Sequence, residues 1–278
     1  MSTHGISIAS LFLFAAMSFA QAPMGGGSPI LPTPGAGGGA GPATLVPALD
    51  PKDRLDSLLM SWEKRMTGVQ SILVQKCVRT EKTKTGTKIY DGEARYLHPN
   101  YAALRMIQRD NPSLYELFVC TGNFLYEYRP QSKKLVIHEL DQPAAGNFNN
   151  NFMQFLFGMS AADAKRRYDL KLAKDVSAEN PHYIYLDIQP RFEADKREFS
   201  RAQMVLFANS MLPRRLWFQH PNGDEILWDL PNIDTTVQLK PVDFTPPAAP
   251  AGWETKKEPK LTNAPGSSAP RVVRPSSK

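Results

Sequence analysis

The segment Thr121-Gly-Asn-Phe-Leu-Tyr-Glu-Tyr-Arg129 joins a glycine-containing turn to a strand-like run in which two kinds of side chain alternate. Phe124, Tyr126 and Tyr128 occupy every second position of that run. Side chains two residues apart in a strand point to the same face of a sheet. The alternation therefore predicts that these three aromatic side chains share the buried face of an antiparallel sheet.

Strand-sized segments of the same kind recur on both sides of this one, separated by short turn sequences such as Pro221-Asn-Gly-Asp224. Such turns favour hairpins, so neighbouring strands are expected to pair antiparallel. Alternation in the later segments adds Leu216, Phe218, Ile226 and Trp228 to the buried wall. We predict a mainly β (α+β) fold of about 10 to 12 strands. The candidates are residues 71–80, 88–97, 101–108, 114–120, 124–129, 134–139, 168–174, 182–189, 203–208, 214–219, 225–230 and 235–239.

A helix is predicted before the first strand, with Asp50 as its N-cap and Pro51 at its first position. Its apolar residues recur at helical spacing, and Asp56 is expected on the opposite, polar face. Trp62 and Met66 fit two interpretations, ordinary core packing or the lining of a binding pocket. The apolar positions are Leu55, Leu58, Leu59, Trp62 and Met66.

One apolar block, Asn151-Phe-Met-Gln-Phe-Leu-Phe-Gly158, interrupts the strands. Its large apolar groups are more than one face of a short helix can hide, so the block needs an apolar surface to rest on. It is expected either to plug the sheet or to form a movable lid over a ligand. A short polar helix capped by Ser160 should follow over residues 161–167. The lid candidates are Phe152, Met153, Phe155, Leu156 and Phe157.

The two ends of the chain differ from its middle. Residues 1–20 contain an apolar stretch from Ile8 to Ala16 and the small-x-small site Ser18-Phe-Ala20, which is typical of a signal peptide. An uncleaved anchor is the alternative reading, because the segment lacks an early Lys or Arg. Residues 21–48 form a Gly/Pro linker and residues 254–278 a basic tail, both expected to be disordered. These assignments leave one domain at residues 49–253, in a periplasmic or secreted protein with no membrane span after signal cleavage.

The formal net charge of +6 is concentrated in the tail, where six basic residues and two acids from Glu254 to Lys278 give +4. The rest of the chain is therefore nearly neutral. Nucleic-acid binding requires basic residues clustered on a folded surface, and this distribution argues against that class of function.

Cys77 and Cys120 are the two cysteines of the chain. In an exported protein they could form one disulfide bridge, but each also lies in a strand candidate where a buried free thiol would pack as a small apolar group. Both readings remain open. The sequence contains no CxxC or HxxxH spacing, so no metal site is predicted.

The sequence nominates no catalytic group. It has no nucleophile elbow, phosphate-binding loop or dinucleotide fingerprint. The carboxylates Asp187, Glu193, Asp195 and Glu198 occur in a charged stretch that is expected to be solvated. We therefore expect a protein that is not an enzyme and that uses no cofactor.

The order of these elements resembles the LolA/LolB-type lipoprotein-carrier fold over about residues 50 to 250. Gly92-Glu-Ala-Arg-Tyr-Leu-His-Pro99 stands where that family has a glycine followed by a basic residue, arginine and proline. Thr121-Gly-Asn-Phe-Leu-Tyr-Glu-Tyr128 resembles its Asp-Gly-Lys-x-Leu-x-x-Tyr segment. Asp243-Phe-Thr-Pro-Pro247 resembles its closing Phe-x-Phe-x-Pro-Pro.

The resemblance implies an unclosed antiparallel half-barrel curved around a short-helix lid and an N-terminal helix. It further implies a cavity for lipid or lipoprotein acyl chains and an envelope protein as a possible partner. His98 occupies the place of an arginine tied to lid opening in the family, which makes it a gating candidate. A sensor or protein-interaction module with a self-filled cavity is the alternative, and a hydrolase is a third class.

Overall fold

The computed structural model describes residues 49–140, 160–173 and 180–261, which form twelve strands, three α-helices and two short 3-10 turns. The helices are α1 (Arg54–Thr67), α2 (Ala161–Arg167) and α3 (Glu193–Lys196), and the 3-10 turns are Pro130–Ser132 and Pro241–Phe244. The strands are β1 (Ser71–Thr83), β2 (Gly86–Leu97), β3 (Tyr101–Gln108), β4 (Tyr115–Thr121), β5 (Phe124–Arg129), β6 (Lys134–Leu140), β7 (Tyr168–Leu172), β8 (Tyr183–Pro190), β9 (Arg201–Phe207), β10 (Pro213–Gln219), β11 (Glu225–Asp229) and β12 (Glu254–Leu261).

All twelve strands belong to one sheet, in the order β12-β6-β5-β4-β3-β2-β1-β11-β10-β9-β8-β7. Every neighbouring pair is antiparallel except β12 and β6, which pair in parallel. Strands β12 and β7 are the two edges, so the sheet does not close into a barrel. The predicted mainly β fold with an unclosed half-barrel is confirmed.

The structure differs from the sequence prediction at the C-terminal end of the sheet. The strand expected at residues 235–239 does not form, and an isolated bridge between Leu73 and Asp234 lies immediately before this segment. Residues 254–261, assigned from composition to the basic tail, form β12 instead. Their charged sequence carries no apolar alternation, but backbone hydrogen bonding to the edge of β6 does not require any.

The predicted N-cap is wrong for α1 and confirmed for α2. The Asp53 carboxylate caps α1 by accepting hydrogen bonds from the backbone N–H groups of Leu55 and Asp56, so the predicted N-cap at Asp50 is wrong. Asp56, expected to face solvent, is buried and its carboxylate accepts from Lys165 Nζ at 2.7 and 2.9 Å. Ser160 caps α2 as predicted, since its hydroxyl accepts from the Asp163 N–H at 3.1 Å.

Cross-strand pairing sorts the side chains of the sheet onto two faces. Paired residues point the same way, so the pairs Leu104–Phe118, Leu216–Trp228 and Leu186–Met204 lie on one face. We call this the inner face, because its residues form one buried cluster with Leu59, Trp62 and Met66 of α1. The opposite side is called the outer face.

The outer face is crossed by the segment that links β11 to β12, which we call the C-terminal strap (residues 230–253). Leu73 and Asp234 exchange backbone hydrogen bonds of 2.8 and 2.9 Å at its start. Further along, Phe244 is only 1% exposed and its ring centroid lies 5.7 Å from that of Tyr101. The strap thereby carries the chain from the middle of the sheet to the β6 edge.

We expect Phe244→Ala to lower the free energy of unfolding by about 3 to 5 kcal/mol, because it opens a cavity between the strap and the outer face. The matched control is Val242→Ala in the same 3-10 turn. Val242 is 70% exposed, so its truncation should change stability by less than about 0.5 kcal/mol. Urea denaturation followed by tryptophan fluorescence measures both values, and equal losses for the two variants would contradict the packing role of Phe244.

Candidate functional site

The structure brings together the six helix and late-strand residues that sequence alternation assigned to a ligand wall. Trp62 and Met66 of α1 are each 1% exposed. Their partners in the same cluster are between 3% and 5% exposed and lie on the inner faces of β10 and β11. These partners are Leu216, Phe218, Ile226 and Trp228. The six side chains belong to one buried apolar cluster, to which α1, β10 and β11 all contribute.

The apolar inner face continues across the other half of the sheet. Leu104, Phe118 and Leu125 occupy successive strands from β3 to β5, and Leu140 lies at the end of β6. All are buried members of the same cluster. Buried apolar side chains therefore lie on the inner face in both halves of the open sheet, beside the buried Glu127 of β5 and His138 of β6.

Gly92 lets the inner face bend closely around β2. A Cβ atom at this position would lie 2.1 Å from the Arg105 carbonyl oxygen and 2.3 Å from Met106 Sδ. Met106 is fully buried above the glycine, and the Cys77 Sγ atom approaches its sulfur at 3.5 Å. The glycine of the quoted Gly92–Pro99 motif is thus required by packing.

Both cysteines are free and buried. The Cys120 thiol donates a hydrogen bond to the Asn100 carbonyl at 3.0 Å. Burial raises the pKa of the Cys77 thiol to about 12 and that of Cys120 to about 11. Of the two readings left open by the sequence, the structure shows packed, unreactive thiols rather than a bridge.

A buried arginine on the inner face was not found by sequence reasoning. Arg79 has no exposed surface, and its guanidinium donates two hydrogen bonds to the Glu116 carboxylate at 2.6 and 2.8 Å. Glu81 Oε1 lies 2.9 Å from Arg79 Nε. The guanidinium carbon stands 4.3 Å above the ring centroid of Tyr90 and 5.3 Å from that of Trp228. Burial raises the pKa of Glu81, although the charge of Arg79 opposes that shift.

These contacts determine what Arg79 can do. Two carboxylates and two aromatic rings already compensate the charge of Arg79. The guanidinium is therefore not available to bind an anionic ligand. A buried cation with this many partners orders the strands that supply them, here β1, β2, β4 and β11. Alternation can place a strand residue on the inner face but cannot identify its partners on other strands, so no local sequence pattern indicated this cluster.

The prediction that Phe124, Tyr126 and Tyr128 share the buried wall is wrong about the face. Register pairs Tyr126 with Val119 and Tyr128 with Leu117 on the outer face, opposite Leu125. Phe124 is 38% exposed. Tyr128 is buried by the C-terminal strap, where its hydroxyl donates to the Pro247 carbonyl and its ring lies 6.4 Å from that of Trp253. The strap buries a second face, and alternation alone cannot tell two buried faces apart.

His98 lies between β2 and β3, where its backbone N–H donates to the Gln70 carbonyl at 2.8 Å. The side chain is half-buried, and this burial lowers the pKa of the imidazole. A gating role for His98 stays a prediction. The lid candidates Phe152, Met153, Phe155, Leu156 and Phe157 lie outside the described residues, so the predicted lid also stays a prediction.

The charged stretch around α3 is less solvated than expected. Asp195 is 2% exposed, and its carboxylate accepts two hydrogen bonds from the Arg167 guanidinium, one of them at 2.7 Å. Glu198 lies nearby and has a carboxylate oxygen without a hydrogen-bond partner in the described structure. Burial, reinforced by the charge of Asp195, raises the pKa of Glu198 to about 7, while Arg167 opposes this shift.

Metal-binding clusters and membrane-spanning helices would each indicate a different class of function. Among residues 49–140, 160–173 and 180–261, no group of three or more His, Cys, Asp or Glu side chains is arranged to hold a metal ion. No helix in these same ranges combines the length and apolar character needed to cross a bilayer.

Comparison with known proteins gives fold-level similarities. No family model matches the chain, and no curated protein matches its sequence. Among solved structures, an uncharacterized conserved protein from Thermus thermophilus is 13% identical with a TM-score of 0.45, covering 74% of this chain and all of its own. A putative outer membrane lipoprotein-sorting protein domain from Vibrio parahaemolyticus is 11% identical with a TM-score of 0.37, covering 68% of this chain and 94% of that one.

A LolA superfamily protein from Nitrosomonas europaea is also similar, at 12% identity and a TM-score of 0.34, over 69% of this chain and 97% of that one. None of these similarities names a ligand for this chain.

We expect Arg79→Met to lower the free energy of unfolding by about 3 to 5 kcal/mol, because it leaves the carboxylates of Glu81 and Glu116 buried without their cation. Adding Glu81→Gln and Glu116→Gln should recover part of that loss. Arg109→Met is the control, since Arg109 is 49% exposed in its ion pair with Asp91 and its removal should cost less than about 1 kcal/mol. Urea denaturation of the four proteins tests this, and an Arg79 loss no larger than the Arg109 loss would contradict it.

The raised pKa of Glu198 should make the free energy of unfolding depend on pH. Its folded pKa of about 7 lies above the ordinary 4.5, so the native state binds the extra proton and stability should fall as pH rises from about 4.5 to about 7. Glu198→Gln removes this titration, so its advantage over the unmodified protein should grow between pH 5 and pH 8, roughly spanning that window. Arg167, Asp195 and His220 are present in both proteins and cancel in the comparison. Parallel curves of unfolding free energy against pH would show that Glu198 titrates normally.

Proposed function

We propose that this protein is an exported binding protein that holds an apolar molecule, such as a lipid or a lipoprotein acyl chain, against the inner face of its sheet. One observation carries the proposal: the inner faces of both halves of a twelve-stranded sheet with open edges contribute buried apolar side chains to one cluster. Burial of apolar ligand surface would supply about 25 cal/mol per Å², and few polar contacts would be needed for orientation.

The helical layer favours one half of the inner face as the ligand position. Lys165 Nζ of α2 binds the Asp56 carboxylate of α1 at 2.7 Å, and the Ala161 N–H donates to Glu63 of α1 at 3.0 Å. Because α2 runs directly into β7, these contacts anchor α1 toward the β7 end of the sheet. The proposed ligand position is therefore over β3 to β6, whose inner face carries the buried side chains of Leu104, Phe118, Leu125 and Leu140.

These wall residues are already buried, so a ligand must displace a cover. The predicted lid block at residues 151–158 is the proposed cover, with His98 as a gating residue at the β2–β3 connection. The protein would work without catalysis, metal or cofactor in the periplasm or outside the cell, and an envelope protein would deliver or accept the ligand.

A sensor or protein-interaction module of the same fold is the second candidate. It is favoured by the burial of Trp62 and Met66 in the same cluster as Leu216, Phe218, Ile226 and Trp228, all of which are at most 5% exposed. In this reading the protein fills its own cavity, and a partner protein is recognised on the surface.

The two functions separate by the contents of the purified protein. Mass spectrometry of a solvent extract should find co-purifying lipid if the protein is a carrier, and the neutral probe N-phenyl-1-naphthylamine should bind saturably. Absence of lipid together with absence of probe binding would favour the interaction module.

We expect Phe155→Asp to weaken N-phenyl-1-naphthylamine binding by about tenfold or more, because a charge in the proposed cover opposes its contact with an apolar ligand. Phe192→Asp is the matched control, since Phe192 is 47% exposed and lies near α3. The control should bind the probe as the unmodified protein does. Fluorescence titration gives both affinities, and unchanged probe binding and stability in Phe155→Asp would remove residues 151–158 from the site.

A further inference from the structure

We propose that the outer face carries a second ligand site, for a small organic anion with a compact apolar part such as an aromatic carboxylate or sulfonate. The site is a partly open cavity of about 410 Å³ between the C-terminal strap and strands β2, β3 and β4. This volume falls within the range of pockets that bind small molecules. The proposal does not depend on the function assigned to the inner face.

The floor and roof of this cavity are apolar. Ala103, Ile107 and Leu117 belong to the floor, on the outer faces of β3 and β4. Phe244 and Pro247 of the strap belong to the roof. The floor and roof come from segments more than a hundred residues apart, and the strap holds them at a fixed separation because Phe244 and the Tyr128 contact to Pro247 anchor it on either side.

The charged groups around the cavity differ in how they are compensated. Arg95 Nη1 donates to the Asp243 carbonyl at 3.2 Å, and Arg95 Nη2 lies 3.6 Å from Glu93 Oε1. The Asp243 carboxylate in turn accepts from the Lys240 N–H at 2.7 Å. Arg105 lines the same cavity from the centre of β3, and its side chain has neither a hydrogen bond nor an ion pair in the part of the chain that the structure describes.

Arg105 therefore supplies the one guanidinium of the described lining that is available to a ligand. A guanidinium offers two parallel donors that match a carboxylate or sulfonate, and apolar surface beside it accommodates the rest of such a molecule. The small side chain of Ala103, next to Arg105 on the same face, leaves the space that the apolar part would occupy. This site lies across the sheet from the inner face, because Leu104 and Met106 alternate with its residues and point the other way.

The test uses 8-anilino-1-naphthalenesulfonate as the probe and the full chain as the protein. Titration is followed by the amide chemical shifts of Leu117 and Val119, which report on this cavity rather than on the inner face. Arg105→Gln should raise the dissociation constant by about fivefold or more, because it removes the cation. Ala103→Trp should do the same by filling the cavity. Arg191→Gln is the control, because Arg191 is 54% exposed and its substitution removes the same charge far from the site.

Circular dichroism confirms that each variant is folded, and N-phenyl-1-naphthylamine, which lacks the sulfonate, should bind all variants as it binds the unmodified protein. The proposal is overturned if Arg105→Gln and Ala103→Trp leave the dissociation constant unchanged, or if Arg191→Gln weakens binding as much as Arg105→Gln does. If Ala103→Trp loses binding while Arg105→Gln keeps it, the cavity does not recognise an anion and the proposal is also overturned.

Discussion

Burial of the apolar side chains on the inner face determines how the rest of the molecule is arranged. A twelve-stranded sheet that does not close must cover its inner face with something other than itself, and α1 provides part of that cover through Leu59, Trp62 and Met66. Side chains such as these contribute about 1.5 to 3 kcal/mol each when removed from water. The ion pair between Asp56 and Lys165 then fixes α1 to α2, so the position of the helical layer is set by a polar contact at its edge.

The outer face is covered in a different way from the inner face. A single extended strap crosses it and uses a few anchoring residues, chiefly Phe244 against Tyr101 and the Tyr128 hydroxyl against the Pro247 carbonyl. An extended segment cannot cover a surface as completely as a helix or a second sheet. The cavity beside Arg105 is a consequence of this incomplete cover, and it distinguishes the outer face from the tightly packed inner one.

Two charged groups lie where an apolar side chain would be the simpler choice. Arg79 and Asp195 are both almost fully buried, and each is compensated by a bidentate ion pair, with Glu116 and Arg167 respectively. Such pairs add little net stability compared with apolar residues of the same volume, but they penalise any arrangement that separates the partners. Arg79 and Glu116 join β1 to β4, and Arg167 and Asp195 join α2 to α3, so the first pair favours one register of the sheet and the second favours one placement of the two helices.

Local sequence patterns were sufficient to predict the class of the fold. Period-two alternation, hairpin turns such as Pro221–Asp224 and the helical spacing of Leu59, Trp62 and Met66 are local properties, and each gave the correct element. Alternation also placed Leu216 and Trp228 on one face, because the period of a strand is fixed by backbone geometry. Which face of each strand points to the inner core depends on tertiary contacts. Tyr128 follows the same alternation as Trp228, but it lies on the outer face and is buried by the strap. The same holds for β12 and for the partners of Arg79, since backbone pairing at a sheet edge and ion pairs between distant strands depend on positions that no local pattern specifies.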